Sequence, residues 1–570
     1  MSVGDLISFG VFILALVAGA PVMGRYLAKV YSYGPGEGPR IFVLAERIIY
    51  RTSKIDERSE QTWRSYATSM VVFAGISTLG LYAILRIQGI FFGNPLHLAG
   101  VNPVLALNTA VSFVTNTNWQ NYGGESTMTF VTQALGLTVE NFISAAVGIA
   151  AAIALVRSLV RTRSSTIGNF WVDVTRTIVR VLLPFSFIFM VVLVSQGVLQ
   201  NLNGERCYQT VTNSHQCIVG GLVASQEAIK ELGTNGGGFY NANSAYPFEN
   251  PNAITNALET YSLLLIPFSL PFAFGRLLGN KRQGYALVGA MFALWLGSSV
   301  SLMYFQSRPA PVNNAVHAVA VGKSASIKNA EGVDLRFGGA ACALFSASTT
   351  GTSTGSVNCA LDSLTPAAGG VALVNIMLGE VDPGGTGSGL YGILIFAILT
   401  VFITGLMVGR TPEYLGKKIQ ANEMKLITLY LLILPLSILT FSALSVIIPQ
   451  AKAATGNPGP HGLTEIVYSY VSTGNNNGSA FAGLSSNTRW YNITQAINMA
   501  IGRFGLIIPE LALAGSLARK RKIISSAGTF PTDSVLFVGI LIAVIILVVG
   551  LTYFPVLALG PVVEQLAGHF

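Results

Sequence analysis

The chain has 570 residues, 51% of them hydrophobic and only 10% charged, with a mean hydropathy of +0.57. Soluble domains carry roughly 25% charged residues, so this composition excludes a soluble globule and calls for a polytopic membrane protein, in contact with membrane lipid. A net charge of +9 would suit nucleic acid, but the Lys and Arg residues stand in short clusters between apolar runs, as the positive-inside bias distributes them, so no nucleic-acid partner is expected.

The first apolar run, Leu6 to Val30, has Asp5 and no basic stretch ahead of it and exceeds the length of a signal-peptide core. It reads as an uncleaved first span whose inner end is marked by Arg25 and Lys29. Arg40, Arg47, Arg51, Lys54, Arg58 and Arg64 follow in the most basic loop, which is therefore cytoplasmic and puts the N-terminus outside. Further spans are predicted at Ala67–Phe91, Met128–Val156, Trp171–Val198, Ile254–Leu277, Gly284–Tyr304, Ala372–Gly409, Leu426–Ile448, Ile493–Leu517 and Val535–Leu557. Each can cover the roughly 20 residues a bilayer needs, and ten in all leave both termini outside. The remaining basic clusters (Arg157, Arg161 and Arg163; Arg276, Lys281 and Arg282; Arg410, Lys417, Lys418 and Lys425; Arg519 to Lys522) all fall inside on that count.

A motif recurs between the spans. Val114 to Gln120, Thr234 to Asn243, Thr350 to Ser356 and Thr473 to Ala480 are Gly-, Asn- and Thr-rich, and their centres Thr117, Gly236, Gly355 and Gly478 are separated by 119, 119 and 123 residues. Ahead of each lies a short helix candidate: Leu105 to Val114, Val223 to Leu232, Ala340 to Ser348 and Leu463 to Val471. One such cluster alone is ordinarily a turn. Four at a nearly fixed period, each behind a short helix and on the outer side, describe an internal repeat.

Span, short re-entrant helix, filter, span is the plan of a pore-loop channel written four times. Non-helical backbone at membrane depth is tolerated where it lines a watery path. A dehydrated alkali ion needs a cage of oxygen dipoles, supplied by carbonyl rings where small residues let the chain extend. Gly236, Gly355 and Gly478 suit that role, and Thr117 stands in it in the first repeat, flanked by Asn116, Asn118 and Gln120.

Five charges fall in or beside apolar runs, where ionisable groups are costly and usually functional: Glu140, Glu380, Asp382, Arg503 and Glu510. Glu140 and Glu510 suit either the interior or a membrane interface. Glu380 and Asp382 lie in Gly379–Gly389, whose glycines, including Gly384 and Gly385, and Pro383 break the span after the third filter. Such a break is a hinge or a gate. Arg503 stands either as a barrier to a cation or as partner to a carboxylate such as Glu380.

Cys207 and Cys217 share the first long outer loop, Gln200–Gly221, and fit a disulfide or two free thiols equally; Cys342 and Cys359 receive no chemistry. Neither that loop nor Gln306–Phe337 reads as a separate soluble domain. No energy source is found: Gly322-Lys323-Ser324 ends like a P-loop, but His317 stands where a glycine is required, and no Asp-Lys-Thr-Gly phosphorylation sequence occurs. The chain is expected to carry ions without catalysing a reaction.

Long strings then make a resemblance specific: Asn108 to Gln120, Ala224 to Asn243, Pro247 to Pro251, Gly409 to Lys418, Asn457 to Gly462, Asn475 to Gly483 and Gly502 to Pro509. Over essentially its full length the chain resembles the KdpA family, potassium-binding subunits of the bacterial Kdp potassium-transporting P-type ATPase. The resemblance implies an all-α fold like that of the Trk/Ktr potassium transporters, with K+ as the transported ion and no organic cofactor. It implies three partners in a bacterial inner membrane: the P-type ATPase or B subunit, the C subunit and the small F subunit of the Kdp complex. Carried over by motif, the filter residues are Asn116, Thr117, Asn118 and Gln120; Thr234, Asn235 and Gly236; Ser353, Thr354 and Gly355; and Asn476, Asn477 and Gly478. The broken span corresponds to the family's gating loop. Thr354 replaces an expected Cys, and Asp382-Pro383 replaces expected apolar residues.

The expected organisation is a first span with its cytoplasmic loop (1–65), repeats at 66–160, 161–280, 281–422 and 423–522, and a last span (523–570). The expected function is a non-catalytic subunit that passes K+ from its filter to an ATPase; the alternative is a self-sufficient channel or ion-coupled transporter of the Trk/Ktr type.

Overall fold

The computed structural model describes residues 3–92, 94, 96–307, 329–409, 411–523 and 530–567, without the side chains of 205, 207, 215 and 217. The Gly322-Lys323-Ser324 motif with His317, and Arg410, lie outside the described residues.

Among those residues ten helices are long and apolar enough to cross a bilayer: Val3–Ser32, Trp63–Ile90, Thr132–Val160, Phe170–Ser195, Ala253–Leu277, Lys281–Gln306, Ser388–Met407, Ala421–Ile447, Arg489–Arg519 and Val535–Ala567. Nine keep the predicted positions with small shifts at the ends. The stretch expected as one broken span, Ala372–Gly409, is instead two helices, Pro366–Met377 and Ser388–Met407, because the backbone turns left-handed at Gly379, Glu380, Gly384 and Gly387 and no helix can run through.

The four short helices are present as Pro103–Val114, Val223–Leu232, Gly338–Gly351 and Gly459–Gly474. Their starts are written locally: Asn102 caps the first by accepting from the Val104 amide, with Pro103 in the first turn where its missing N–H costs nothing. At about 1.5 Å per residue even the longest rises only about 24 Å, short of a roughly 30 Å hydrocarbon core. Each therefore enters and must return.

Burial sorts the spans into two shells. Thr132–Val160, Ala253–Leu277, Ser388–Met407 and Arg489–Arg519, each following a short helix, have 83, 72, 67 and 61% of their apolar window buried; the other six have 22 to 44%. Pro103–Val114, Val223–Leu232 and Gly459–Gly474 each pack between the span before them and the inner helix after them, while Gly338–Gly351 packs on Lys281–Gln306 and Pro366–Met377.

Two small antiparallel strand pairs interrupt the all-helical pattern. Glu205–Gln209 pairs with His215–Val219 in the loop after Phe170–Ser195, with Cys207 opposite Cys217 in register; their side chains lie outside the described residues. Glu413–Tyr414 pairs with Lys417–Lys418. This second turn is structural: Lys417 Nζ donates to the carbonyls of Ser158, Arg161 and Leu517 at 2.9, 2.5 and 2.6 Å, closing the C-terminal ends of two inner helices with one ammonium.

Candidate functional site

The four loops that follow the short helices meet and close into a ring. Asn116 Nδ2 of the first donates to the Thr234 carbonyl of the second at 2.9 Å. The Gly355 amide of the third donates to the Asn235 carbonyl at 3.2 Å. Asn477 Nδ2 of the fourth donates to the Thr352 carbonyl at 2.6 Å, and Asn476 Nδ2 returns to the first at Thr117 Oγ1, 2.9 Å away. Each loop thus touches the next in chain order.

The ring is drawn as tight as glycine permits. A β-carbon on Gly236 would strike the Gly355 backbone nitrogen, one on Gly355 would come 2.7 Å from the Gly478 carbonyl carbon, and one on Gly478 would strike the Thr117 carbonyl oxygen. Gly236 and Gly478 also have φ of +94° and +96°, a region L side chains rarely adopt. In three loops a residue of positive φ recurs two positions apart, at Asn116 and Asn118, Thr234 and Gly236, Asn476 and Gly478, and the intervening residue has no positive φ. The third loop has no positive φ between Ser353 and Gly355. The first loop thus departs from the others by Thr117 in place of a glycine, and the third by its backbone.

The side chains of the predicted filter residues face outward, into the protein. Asn235 Nδ2 donates to Asn116 Oδ1 (2.6 Å) and Ser144 Oγ (3.1 Å), and Ser144 donates to the same Asn116 oxygen, so one serine of an inner helix joins two loops. Asn118 donates to Asn141 at 2.7 Å, and the Thr354 hydroxyl and carbonyl accept from Thr352 and Thr349. Gln120 is a strut, with its amide bridging the carbonyl and N–H of Gly238 at 3.2 and 3.1 Å. Among the described residues no hydrogen bond reaches the carbonyl oxygens of Thr117, Gly236, Gly355 or Gly478. Those of Asn116, Asn118, Ser353, Asn476 and Asn477 are likewise without a partner among the described residues, so every loop keeps free carbonyl oxygens, which is what a dehydrated cation requires.

The break in the third repeat is pressed against this ring. Thr386 donates its amide to Thr234 Oγ1 (2.9 Å) and its hydroxyl to the Gly233 carbonyl (2.9 Å), while the Gly384 amide donates to the Gly351 carbonyl (2.8 Å). Ser353 Oγ donates to Glu380 Oε2, and Gly385 packs on Ser353 and Ser388. Asp382 is fully buried, and neither carboxylate oxygen has a hydrogen-bond partner among the described residues. Arg503, 4% exposed, donates to the Ser144 carbonyl at 2.7 Å and makes no direct ion pair among the described residues, though it stands within electrostatic reach of Glu380. Glu140 and Glu510, at 6% and 0% exposed, lie inside the packed protein.

Features without a sequence-level assignment complete the site. Lys230 is fully buried on the second short helix between Glu227 (2.6 Å) and Glu249 (3.0 Å). Glu231 and Glu259 lie in the same cluster, and Ser244 and Ser356 bond to Glu231. Charged residues on a helix too short to cross were its signal. A Cys342–Cys359 disulfide ties the third short helix to the segment beyond the loop that follows it, across 17 residues. Only the spatial return of that loop identifies the pair.

The family described as potassium-transporting ATPase A subunit matches residues 10–566. The chain belongs to that family. It is 52% identical over 572 residues to the potassium-transporting ATPase potassium-binding subunit of Mycobacterium tuberculosis (strain ATCC 25618 / H37Rv), covering 100% of both chains. It is 48% identical to the protein so described in Allorhizobium ampelinum, covering 99% of this chain and 98% of that one. The crystal structure of the potassium transporter TrkH from Vibrio parahaemolyticus aligns over 89% of this chain and 98% of its own with a TM-score of 0.52. At 13% identity that likeness is one of fold alone, and the fold that this member of the A-subunit family shares with it is the helix–pore loop–helix arrangement.

Proposed function

We propose that this chain is the ion-binding, channel-like subunit of an ATP-driven potassium importer. In this reading the loops at Asn116–Gln120, Thr234–Gly236, Ser353–Gly355 and Asn476–Gly478 form the filter, with Thr117, Gly236, Gly355 and Gly478 supplying carbonyl oxygens to a dehydrated K+. The single observation that carries it is the closed ring with unpartnered carbonyls in all four loops. Side chains turned away from the centre leave selection to backbone dipoles, which suits an alkali cation better than a divalent ion seeking carboxylates.

Below the ring, the segment Glu380 to Gly387 acts as the inner gate, and Arg503 discourages straight passage of a cation to the cytoplasm. The ion then leaves sideways to a P-type ATPase partner, the B subunit, in a complex completed by the C and F subunits. The basic inner loops support a bacterial inner-membrane location with both termini extracytoplasmic, and the spacing of the four loops supports the division into repeats at 66–160, 161–280, 281–422 and 423–522.

A second reading, a self-sufficient transporter, is favoured by the TrkH-like fold. Reconstitution separates them. Vesicles holding this chain with its ATPase partner should take up K+ only with ATP, and vesicles holding this chain alone should take up none; uptake by the chain alone would establish the second reading.

A further inference from the structure

The helix Arg40–Thr52, between the first two spans, is used by none of the foregoing. It is held in one orientation: Glu46, 2% exposed, accepts from Arg180 Nε and Nη2, both at 2.5 Å, and Tyr50, 6% exposed, lies one turn on along the same inner face. Arg180 belongs to the span Phe170–Ser195, so this ion pair pins the helix against the bundle at the level where the first span is ending.

With that face fixed, the rest of the helix presents two stripes. Ile41, Leu44 and Ile48 are 74, 57 and 56% exposed, and their spacing of three and four residues sets them in one line. Arg40, Arg47 and Arg51, spaced seven and four, form a parallel exposed line beside them. None of these arginines has an ion pair among the described residues. Facing water, the apolar line would be a liability. Lying in a membrane interface, it is what a surface helix needs, with the cations at headgroup level.

A cavity of about 290 Å³ opens beside the basic line, edged by Arg47, Arg51 and Arg58, and lined by Tyr50, whose hydroxyl has no hydrogen-bond partner among the described residues. Of the acids lining it, Glu46 is neutralised by Arg180, whereas Asp56 and Glu57 keep their charge and accept the Arg58 and Gly36 amides. The anion site therefore rests on Arg47, Arg51 and Arg58, which have no ion pair among the described residues. The cavity thus offers unpaired cations and a hydroxyl to an anion. We infer that Arg40–Thr52 is an interfacial helix that binds anionic phospholipid, with acyl chains under Ile41, Leu44 and Ile48 and phosphate groups on Arg47, Arg51 and Arg58. Charge complementarity commits the surface to lipid phosphate.

The test uses the full chain reconstituted in phosphatidylcholine bilayers with and without phosphatidylglycerol, counting the lipids that stay bound by native mass spectrometry. The unchanged protein should retain phosphatidylglycerol in preference, and the preference should fall as ionic strength rises. Arg47→Gln with Arg51→Gln should weaken it, by about fivefold for each arginine removed. Because these side chains are exposed, the unfolding midpoint in pure phosphatidylcholine should not move. Should the double variant fail to fold, Arg51→Gln alone and the salt titration of the unchanged protein carry the test. No preference in the unchanged protein, or full preference in the variant, overturns the inference. So does a photocrosslinker at position 44 that captures another polypeptide of the assembled complex rather than lipid.

Discussion

Lys230 Nζ lies 2.6 Å from Glu227 Oε2, one turn away on the second short helix, with neither side chain more than 1% exposed. Glu249 shares the same ammonium at 3.0 Å, and the carboxylates of Glu231 and Glu259 stand beside them. This cluster backs onto the ring of loops through Ser356, the residue after Gly355.

One buried cation here faces several carboxylates, so Lys230 holds the second short helix in place. Removing one member of a buried ion pair leaves uncompensated charge and costs about 3–5 kcal/mol. Lys230→Met should therefore lower the unfolding midpoint of the purified chain sharply. Glu259 has no hydrogen-bond partner for either oxygen among the described residues, so Glu259→Gln should be neutral or stabilising. Equal destabilisation by both changes would refute this division of roles.

Gly236→Ser should lower the apparent affinity for K+ and let Rb+ and NH4+ compete better. The backbone there has φ of +94°, and a β-carbon would meet the Gly355 nitrogen, so the ring must shift at two loops together. Gln120 changes should act more weakly, because that side chain braces Gly238 rather than facing the centre. Competition uptake assays on the assembled complex give the answer, and an unchanged ion preference in the Gly236 variant would remove this loop from the filter.

His461 opens the fourth short helix and bridges Glu564 of the last span (2.7 Å) and Asp362 (3.1 Å), with Glu465 also near. Burial opposes its charge, but hydrogen bonds to the two carboxylates prevail and raise its pKa to about 10. A folded-state pKa above the ordinary 6.5 means that this link stabilises fully below about pH 6.5 and is lost as pH rises through about 10. Thermal unfolding measured across that window should show a falling midpoint, and His461→Gln should flatten the fall. A variant with the unchanged slope would assign the effect to another group.

The sequence makes the spans and the repeat legible because both are one-dimensional signals: apolar length, basic flanks and a period near 119 residues. It also places Gly236, Gly355 and Gly478 at the centre, since only a residue without a β-carbon suits that approach. It does not reveal that Asn235 and Asn116 meet on Ser144, because the three lie 91 and 28 residues apart and Ser144 is one small polar residue in an apolar run. Cys342 and Cys359 escape for the same reason. Glu380 and Asp382 are visible as charges in a broken span, but the attachment of Thr386 to Thr234, which fixes the break against the ring, is a contact across 152 residues.

That attachment gives the last prediction. Thr386 meets the second loop through its amide and hydroxyl, Gly384 meets the end of the third short helix, and Ser353 meets Glu380, so the break is clasped to two of the four loops directly beside the ring. If this segment blocks passive flow, its removal opens a path that needs no ATP. Deleting Gly384 to Gly387 should make vesicles containing the chain alone leak K+ down its gradient, whereas Thr386→Val, which keeps the segment but removes its hydroxyl donor, should leak far less. Flux of radioactive Rb+ without ATP measures both. A deletion that only slows ATP-driven uptake, with no passive flux, would make the segment a hinge or a docking surface for the ATPase rather than a gate.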